Sequence, residues 1–218
     1  VKRVIRENPQ LLYDTTTQYH RELQVRQRQQ QLESSFNNRI ADQAAPHNPV
    51  KGPENAVVTI ITYTDFECPY CARGAQTAEE ILALYPETTR LVFKNLPLNS
   101  HENAIPAARA ALAAHRQGKF WGYHDLLFQN SGQLSDERLV ALAGELGLDV
   151  ARFDRDRHSD EIAAEVEADR KQAAAHNIGS TPTFVINGVV VTGAQPLPEF
   201  QRVIDRLLAE AAPKKAAQ

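Results

Sequence analysis

The spacing of apolar residues differs between the first 45 positions and the rest of the chain. Residues 1–45 are polar and rich in Gln, and their few apolar side chains recur about three, four and seven positions apart. These residues are Val4, Ile5, Leu11, Leu12, Tyr19, Leu23, Leu32, Phe36 and Ile40. So thin a stripe buries little in a lone helix, so the pattern leaves two interpretations open: a helical arm that packs on a partner helix, and a disordered arm.

After residue 45 the pattern becomes that of a globular domain. Pro46 and Pro49 interrupt the helical spacing, and residues 45–49 are predicted to be a linker. The strands predicted from β-branched, apolar runs lie at 56–63, 90–94, 183–186 and 189–191. The helices predicted from composition and spacing lie at 72–84, 103–116, 120–129, 135–146, 159–176 and 198–211.

The last two strands carry the strongest local signal. Asn187 and Gly188 separate them, and this pair favours a hairpin with a type I′ turn. The order β-α-β, several helices, β-β-α predicts an α/β thioredoxin fold with a helical insertion at about residues 100–177. The predicted organisation is an N-terminal helical arm (1–45), this domain (46–212) and a short tail (213–218).

Composition narrows the class of protein. The 218 residues are 42% apolar, which is enough for one good core, and the net charge is −3 without a basic stripe, so nucleic acid is not an expected partner. No apolar run is long enough for a transmembrane segment. The chain begins at Val1 and contains no Met, which we interpret as a processed or trimmed form from which a signal peptide could have been removed.

The chemistry centres on the only two cysteines, Cys68 and Cys71. They are spaced C-x-x-C, between a predicted strand and the start of a predicted helix, and Pro69 suits the first helical turn. Free backbone N–H groups and the dipole at a helix N-terminus favour a thiolate on Cys68, the attacking species in disulfide exchange. A structural disulfide would close a very small loop, and no second pair of ligands has zinc-finger spacing. The sequence therefore indicates redox chemistry without a metal or an organic cofactor.

Four segments resemble the DsbA-like thiol–disulfide oxidoreductases of the thioredoxin superfamily. They are residues 65–71 around the cysteines, 93–98 at the second strand, 118–128 in the insertion and 179–188 at the hairpin, and the likeness extends over about residues 50–212. Residues 5–12 resemble the N-terminal extension of the ScsC-like branch.

The resemblance implies roles for six residues. Cys68 is then an exposed nucleophile and Cys71 a buried resolving thiol, while Pro69 and Tyr70 tune their reactivity. Thr181 and Pro182 form a cis-proline loop that binds substrate; the residues alone favour a trans proline at a strand edge. Tyr70 departs from the His found in DsbA, which argues for a less extreme oxidant.

Other conspicuous side chains have ordinary interpretations as well. Trp121, Tyr123 and Phe128 have helical spacing and are expected in the core, and His101, His115 and His124 are expected to be surface or core residues. Two acid–base candidates stay open: Glu67 as a proton relay or an exposed carboxylate, and Lys94 as the partner of a buried carboxylate or a solvated strand-end residue. The charged run 154–157 is interpreted as a solvated helix face.

These inferences lead to one functional expectation with alternatives. We expect an enzyme that exchanges disulfides with cysteines of exported proteins, in the periplasm or an equivalent compartment, together with a membrane or soluble redox partner. A homo-oligomeric isomerase or reductase, assembled through residues 1–45 and tethered by the linker, is favoured because the arm is amphipathic. A monomeric dithiol oxidase is the alternative, and a non-enzymatic binding module is disfavoured by the intact cysteines and Thr181–Pro182.

Overall fold

The computed structural model describes residues 8–212, and in that range it contains eight helices and five strands. The strands are β1 (Val50–Lys51), β2 (Val58–Thr64), β3 (Thr89–Asn95), β4 (Thr183–Ile186) and β5 (Val189–Thr192). The helices are α1 (Pro9–Asn37), α2 (Pro69–Leu84), α3 (Ala104–His115), α4 (Phe120–Gln129), α5 (Asp136–Glu145), α6 (Val150–Arg157), α7 (Asp160–Ala175) and α8 (Leu197–Ala211).

The strands form one mixed sheet in the order β1-β3-β2-β4-β5. Strands β2 and β3 are parallel, and the other neighbouring pairs are antiparallel. Asn187 and Gly188, between β4 and β5, both have positive φ, as a type I′ turn requires. The predicted thioredoxin fold and hairpin are confirmed.

Both faces of the sheet are covered, which is why β2 and β3 are buried at nearly every position rather than at alternate positions. On one face Ile60 and Phe184 pack with side chains of α2 and α8, including Ile81 and Phe200. On the other face Ile61 and Val185 pack against the end of α7 at Ala173.

Helices α3 to α7 form the predicted insertion around a core of their own. Alanines of α3 lie at its centre, with Tyr123, Leu139 and Phe153 from the three following helices. Phe66 and Phe93 from the thioredoxin part reach into the same core. The insertion therefore shares apolar contacts with the segment that carries the cysteines.

Two elements were not predicted from sequence. Strand β1 has only two residues, and α6 was not delimited as a separate helix, although the charged run within it was interpreted as a helix face. The interpretation of that run as a solvated face is wrong for Arg157, which is 4% exposed and donates to Asp136 and Asp154. The charged residues in the sequence did not indicate this burial, which is possible for a guanidinium that donates hydrogen bonds to carboxylates.

The arm is helical, but its end differs from the prediction. Helix α1 stops at Asn37, well before the predicted boundary at residue 45, and Phe36 in its last turn is buried against the α8 face. Ser35 Oγ accepts a hydrogen bond from the backbone N–H of Val190 at 2.5 Å. Val4, the first three residues of the segment resembling the ScsC-like branch (5–7) and the tail 213–218 lie outside the described residues.

Residues 38–49, which we call the connector, lie on the domain instead of forming a loose linker. The N–H of Ile40 donates to the carbonyl of Gly188 at 2.9 Å, and Asn48 Nδ2 donates to Asp169 at 2.9 Å. Pro49, in the predicted linker, is buried and accepts from the N–H of Phe93. The predicted boundary at residue 45 therefore cuts through packed structure.

Residues 8–212 lack two features that would indicate other classes of protein. No helix there combines the length and the apolar character needed to cross a membrane. The same part of the chain contains no group of three or more His, Cys, Asp or Glu side chains arranged to hold a metal ion.

Candidate active site

The two cysteines lie where β2 passes into α2. Cys68 is the N-cap residue of α2 and has extended backbone angles, and Pro69 occupies the first turn. The Cys68 carbonyl accepts hydrogen bonds from the N–H of Cys71 at 2.9 Å and from the N–H of Ala72 at 3.4 Å. No side chain caps this helix end, so the partial positive charge of its N-terminus faces the Cys68 side chain.

Both cysteines are free thiols, and they differ less in exposure than the resemblance implies. Cys71 has no exposed surface, whereas Cys68 is 5% exposed. Cys68 is thus the more accessible sulfur, but "exposed" is the wrong description for it. The accessible surface beside it comes from Pro69 and from Tyr70, which is 56% exposed and has the Arg73 guanidinium over its ring.

The Cys71 thiol lies in a buried pocket of hydrogen-bond donors. Burial raises the pKa of Cys71 to about 12, because the pocket excludes the water that would solvate a thiolate. The side chains of Thr181 and Thr64 and the backbone N–H of Asp65 act in the opposite direction and lower the pKa of Cys71. The Asp65 nitrogen lies 3.5 Å from the Cys71 sulfur.

The loop before β4 covers the dithiol. The Thr181–Pro182 bond is cis, as the resemblance implies, and Pro182 is buried. Cys68 Sγ lies 3.7 Å from the Thr181 carbonyl oxygen. Gly74 of α2 permits this approach, since a Cβ there would lie 3.1 Å from Pro182 Cγ and 3.2 Å from Phe184 Cζ.

The segment between β2 and Cys68 is fixed to the loop that precedes α3. The Asp65 carboxylate accepts from the N–H of Leu98 and pairs with His101, each at 2.8 Å. Glu67 is half-buried and accepts from the N–H of Asn103 at 2.6 Å. Glu67 is therefore neither the exposed carboxylate of one sequence interpretation nor in hydrogen-bond contact with either thiol among the bonds described.

Lys94 has no exposed surface and pairs with a buried carboxylate, so the solvated alternative is wrong. Its ammonium lies 2.6 Å from Asp42 Oδ1, 2.7 Å from the Gln43 carbonyl and 2.8 Å from Gln172 Oε1. Tyr63 donates to the other oxygen of Asp42 at 2.8 Å, and burial together with that bond raises the pKa of Tyr63. The partner comes from the connector, which local sequence patterns did not indicate.

The remaining candidates are structural. Tyr123 and His124 are buried, Trp121 and Phe128 are partly buried, and all four lie in or against the insertion core or its aromatic cluster, as predicted. His115 is half-buried with a pKa lowered by burial. Sequence reasoning missed Asp65, Thr64 and Asp42; Asp65 stands three positions before Cys68, which was the one available signal for it.

This geometry agrees with comparisons of the whole chain. The family model described as "Thioredoxin" matches residues 44–206. The chain belongs to the thioredoxin family. A solved thioredoxin-like oxidoreductase from Silicibacter pomeroyi DSS-3 is 31% identical, with a TM-score of 0.71 over 83% of this chain and 98% of that one.

More distant structures share the fold. BdbD from Bacillus subtilis is 22% identical, with a TM-score of 0.69 over 79% of this chain and all of that one. ScsC from Proteus mirabilis, also 22% identical, has a TM-score of 0.67 over 96% of this chain and 94% of that one. The predicted membership of the thioredoxin superfamily is confirmed by the family model, and the structures of BdbD and ScsC show that this chain shares their fold.

Curated relatives share only part of their length with this chain. A protein named Na(+)/H(+) antiporter NhaA, from Herminiimonas arsenicoxydans, is 39% identical over 145 residues, which is 66% of this chain and 23% of that protein. An antiporter of the same name from Salinispora tropica is 38% identical over 154 residues. The chain spans about a quarter of the length of the curated relatives it matches.

Proposed function

We propose that this chain is a thiol–disulfide oxidoreductase that acts on cysteines of other proteins through Cys68 and Cys71. One observation carries the proposal: the more accessible sulfur, Cys68, lies at an uncapped helix N-terminus against the Thr181 carbonyl, with Cys71 buried behind it. Such an environment favours nucleophilic attack by one cysteine and internal resolution by the other.

The proposed exchange proceeds in two steps. The Cys68 thiolate attacks one sulfur of a substrate disulfide, and the other substrate sulfur leaves and takes up a proton. Cys71 then loses its proton and attacks Cys68, forming the Cys68–Cys71 bond and releasing the first substrate sulfur, which is protonated in turn. The substrate disulfide is reduced and the dithiol is oxidised; the reverse sequence oxidises a substrate dithiol.

The substrate class follows from the surface around Cys68. The Thr181 carbonyl and the exposed residues Gly179 and Ser180 offer backbone groups to an extended chain. Tyr70 adds an exposed aromatic face beside the nucleophile. A segment of polypeptide with an accessible cysteine fits these features.

Single cysteine variants test this function. Cys68→Ala is expected to abolish both reduction of a disulfide peptide by the reduced protein and oxidation of a dithiol peptide by the oxidised protein. Cys71→Ala is expected to accumulate a mixed disulfide on Cys68 that intact mass measurement detects. The matched control is Ser131→Ala. Ser131 lies in the insertion and its hydroxyl bonds to no sulfur, so this variant should retain exchange. Exchange by the Cys68→Ala protein at the wild-type rate would overturn the proposal.

Within this class we favour a homo-oligomeric isomerase or reductase assembled through α1. Leu11, Leu12, Tyr13, Tyr19 and Val25 of this helix are 46–66% exposed, so its outer part presents apolar surface that this chain alone leaves uncovered. Several sites in one assembly would suit repeated exchange on one substrate. Light scattering at roughly tens of micromolar, a concentration at which weak association of helices is detectable, tests this assembly. A monomeric mass at that concentration would favour the oxidase instead.

The monomeric dithiol oxidase remains the second candidate because part of the arm packs on its own domain. Phe36 is buried, and Arg206 of α8 pairs with Glu33 of α1, so the arm also has an intramolecular role. Refolding of a scrambled-disulfide protein distinguishes the two, since only an isomerase rearranges non-native bonds without added oxidant. We also propose an exported location and a membrane or soluble redox partner, which cell fractionation and trapping by the Cys71→Ala protein would identify.

A further inference from the structure

One residue between β2 and α2 contacts both cysteines through its backbone. The N–H of Asp65 points to Cys71 Sγ at 3.5 Å, and its carbonyl accepts from the N–H of Cys68 at 3.2 Å. Any movement of the Asp65 backbone therefore changes the surroundings of the buried sulfur and the position of the other cysteine together.

The Asp65 side chain is held on every side. Its carboxylate has no exposed surface, and it accepts from the N–H of Glu67, the N–H of Leu98 and the ring of His101, each at 2.8 Å. A carboxylate only accepts hydrogen bonds, so His101 Nδ1 carries the proton that it donates. Two of the three donors are backbone groups, and His101 is the one side chain among them.

His101 differs from the other groups around Asp65 in its contact with solvent. Its side chain is 26% exposed, whereas the carboxylate it meets is fully buried. It lies on the loop before α3, outside α2, at whose start the cysteines lie, and outside β2, which precedes them. It can be altered without removing any atom that touches a sulfur.

The resolution step makes the greatest demand on this arrangement. When Cys71 attacks the mixed disulfide it must carry negative charge in a pocket closed to water, where each remaining donor counts for more than it would in solvent. The Asp65 N–H is one such donor. The side chains of Thr181 and Thr64 also lower the pKa of Cys71.

We propose that His101 is a positioning residue for resolution: its bond to the Asp65 carboxylate keeps the Asp65 N–H directed at the Cys71 sulfur. The inference rests on the proposed function. In the step it serves, Cys71 loses a proton, the Cys71–Cys68 bond forms, the bond from Cys68 to the substrate sulfur breaks, and the departing thiolate takes up a proton.

The two steps can be observed separately with one equivalent of dithiobis(nitrobenzoate), whose released aryl thiolate absorbs visible light. In stopped flow, the first release reports attack by Cys68 and the second reports resolution by Cys71. His101→Ala is expected to slow the second release about fivefold to tenfold, the scale of one ordinary lost hydrogen bond, and to leave the first within about twofold. His101→Asn, whose Nδ2 replaces Nδ1 as donor, is expected to restore the second release.

Controls separate this proposal from a general loss of structure. His158→Ala removes a histidine that is 58% exposed and bonded only near α6, and both releases should be unchanged. His101→Leu fills the same space without a donor and serves if the alanine variant does not fold. Equal slowing of both releases, an unchanged second release in His101→Ala or His101→Leu, or failure of His101→Asn to restore it would overturn the inference.

The same traces distinguish failure of this inference from failure of the proposed function. If the wild-type protein releases two equivalents and the His101 variants match it, the function stands and the positioning role falls. If the wild-type protein releases a single equivalent, as Cys71→Ser must, resolution by Cys71 does not occur and both proposals fall.

Discussion

The two parts of the N-terminal arm are both polar with sparse apolar residues, but their surroundings are very different. In the outer part, residues 9–27, the side-chain hydrogen bonds described stay within the helix, as between Gln10 and Asp14 or Gln18 and Glu22. In the inner part, residues 28–49, side chains bond to the sheet, to α7 and to α8, through Ser35, Asp42 and Glu33 among others. Sparse apolar residues occur in both, so apolar content does not distinguish them. The two parts differ instead in the groups to which their polar side chains bond.

This difference places the structural boundary inside the arm. The outer part can be removed without exposing any described buried group of the domain, whereas the inner part completes the domain's polar and apolar contacts. We expect perturbations of the inner part to change folding and perturbations of the outer part to change association. Four experiments test that contrast, in order of decreasing expected effect on stability.

Removal of residues 1–45 should have the largest effect. It deletes Phe36 and Asp42 and leaves the buried ammonium of Lys94 without its counter-ion, for a loss of about 5 kcal/mol or more in the free energy of unfolding. Chemical denaturation measures this loss, and the matched control is removal of residues 1–27, which should cost less than about 1 kcal/mol. Equal stability of the two truncated proteins would refute the boundary drawn here.

Asp42→Ala should follow, with a loss of about 3–5 kcal/mol, because it breaks one fully buried ion pair and leaves Lys94 charged without a partner. The control is Asp14→Ala on the outer part, where the carboxylate is exposed and the expected change is within about 0.5 kcal/mol. Adding Lys94→Met to Asp42→Ala should restore much of the loss, since no buried charge then remains. A double variant no more stable than Asp42→Ala would show that the ion pair is not the cause.

Phe36→Ala tests the apolar half of the same contact. The ring is 7% exposed and lies beneath the guanidinium of Arg206, 3.8 Å from the ring centre, so its loss should cost about 3 kcal/mol. Tyr13→Ala is the counterpart on the outer part, where the ring is 66% exposed, and it should leave the denaturation midpoint nearly unchanged. Similar midpoints for the two variants would mean that the inner part is not anchored as described.

The smallest effect on domain stability is expected from Leu11→Ser combined with Leu12→Ser. Both side chains are on the outer part, 60% and 46% exposed, and unfolding of the domain should change by less than about 0.5 kcal/mol. If the outer part associates with copies of itself, the solution mass measured by light scattering should fall. An unchanged mass would count against assembly through this surface.

The sequence predicted most of the domain because its signals are local. Apolar β-branched runs located β2 and β3, the Asn187–Gly188 pair located the hairpin, and Ser135 and Ser159 marked helix starts that their hydroxyls do cap. The C-x-x-C spacing of the two cysteines indicated redox chemistry. Each of these depends on residues close together in the chain.

The features that were missed depend on contacts between distant residues. Asp42 meets Lys94 from 52 positions away, and Asp65 meets His101 from 36 positions away, so no window of sequence contains both members of either pair. The burial of Arg157 follows from Asp136 on the preceding helix, for the same reason. Buried polar networks are set by tertiary packing, which local patterns do not encode.

The inner part of the arm also affects the edges of the sheet. Strand β5 is at one edge, and Ser35 and Ile40 bond to backbone groups of Val190 and Gly188 there; at the other edge β1 has only two residues. Unpaired edge strands recruit other extended chains and begin aggregation. With one edge contacted by the arm and the other formed by a two-residue strand, the sheet offers little strand for the proposed polypeptide substrates to join.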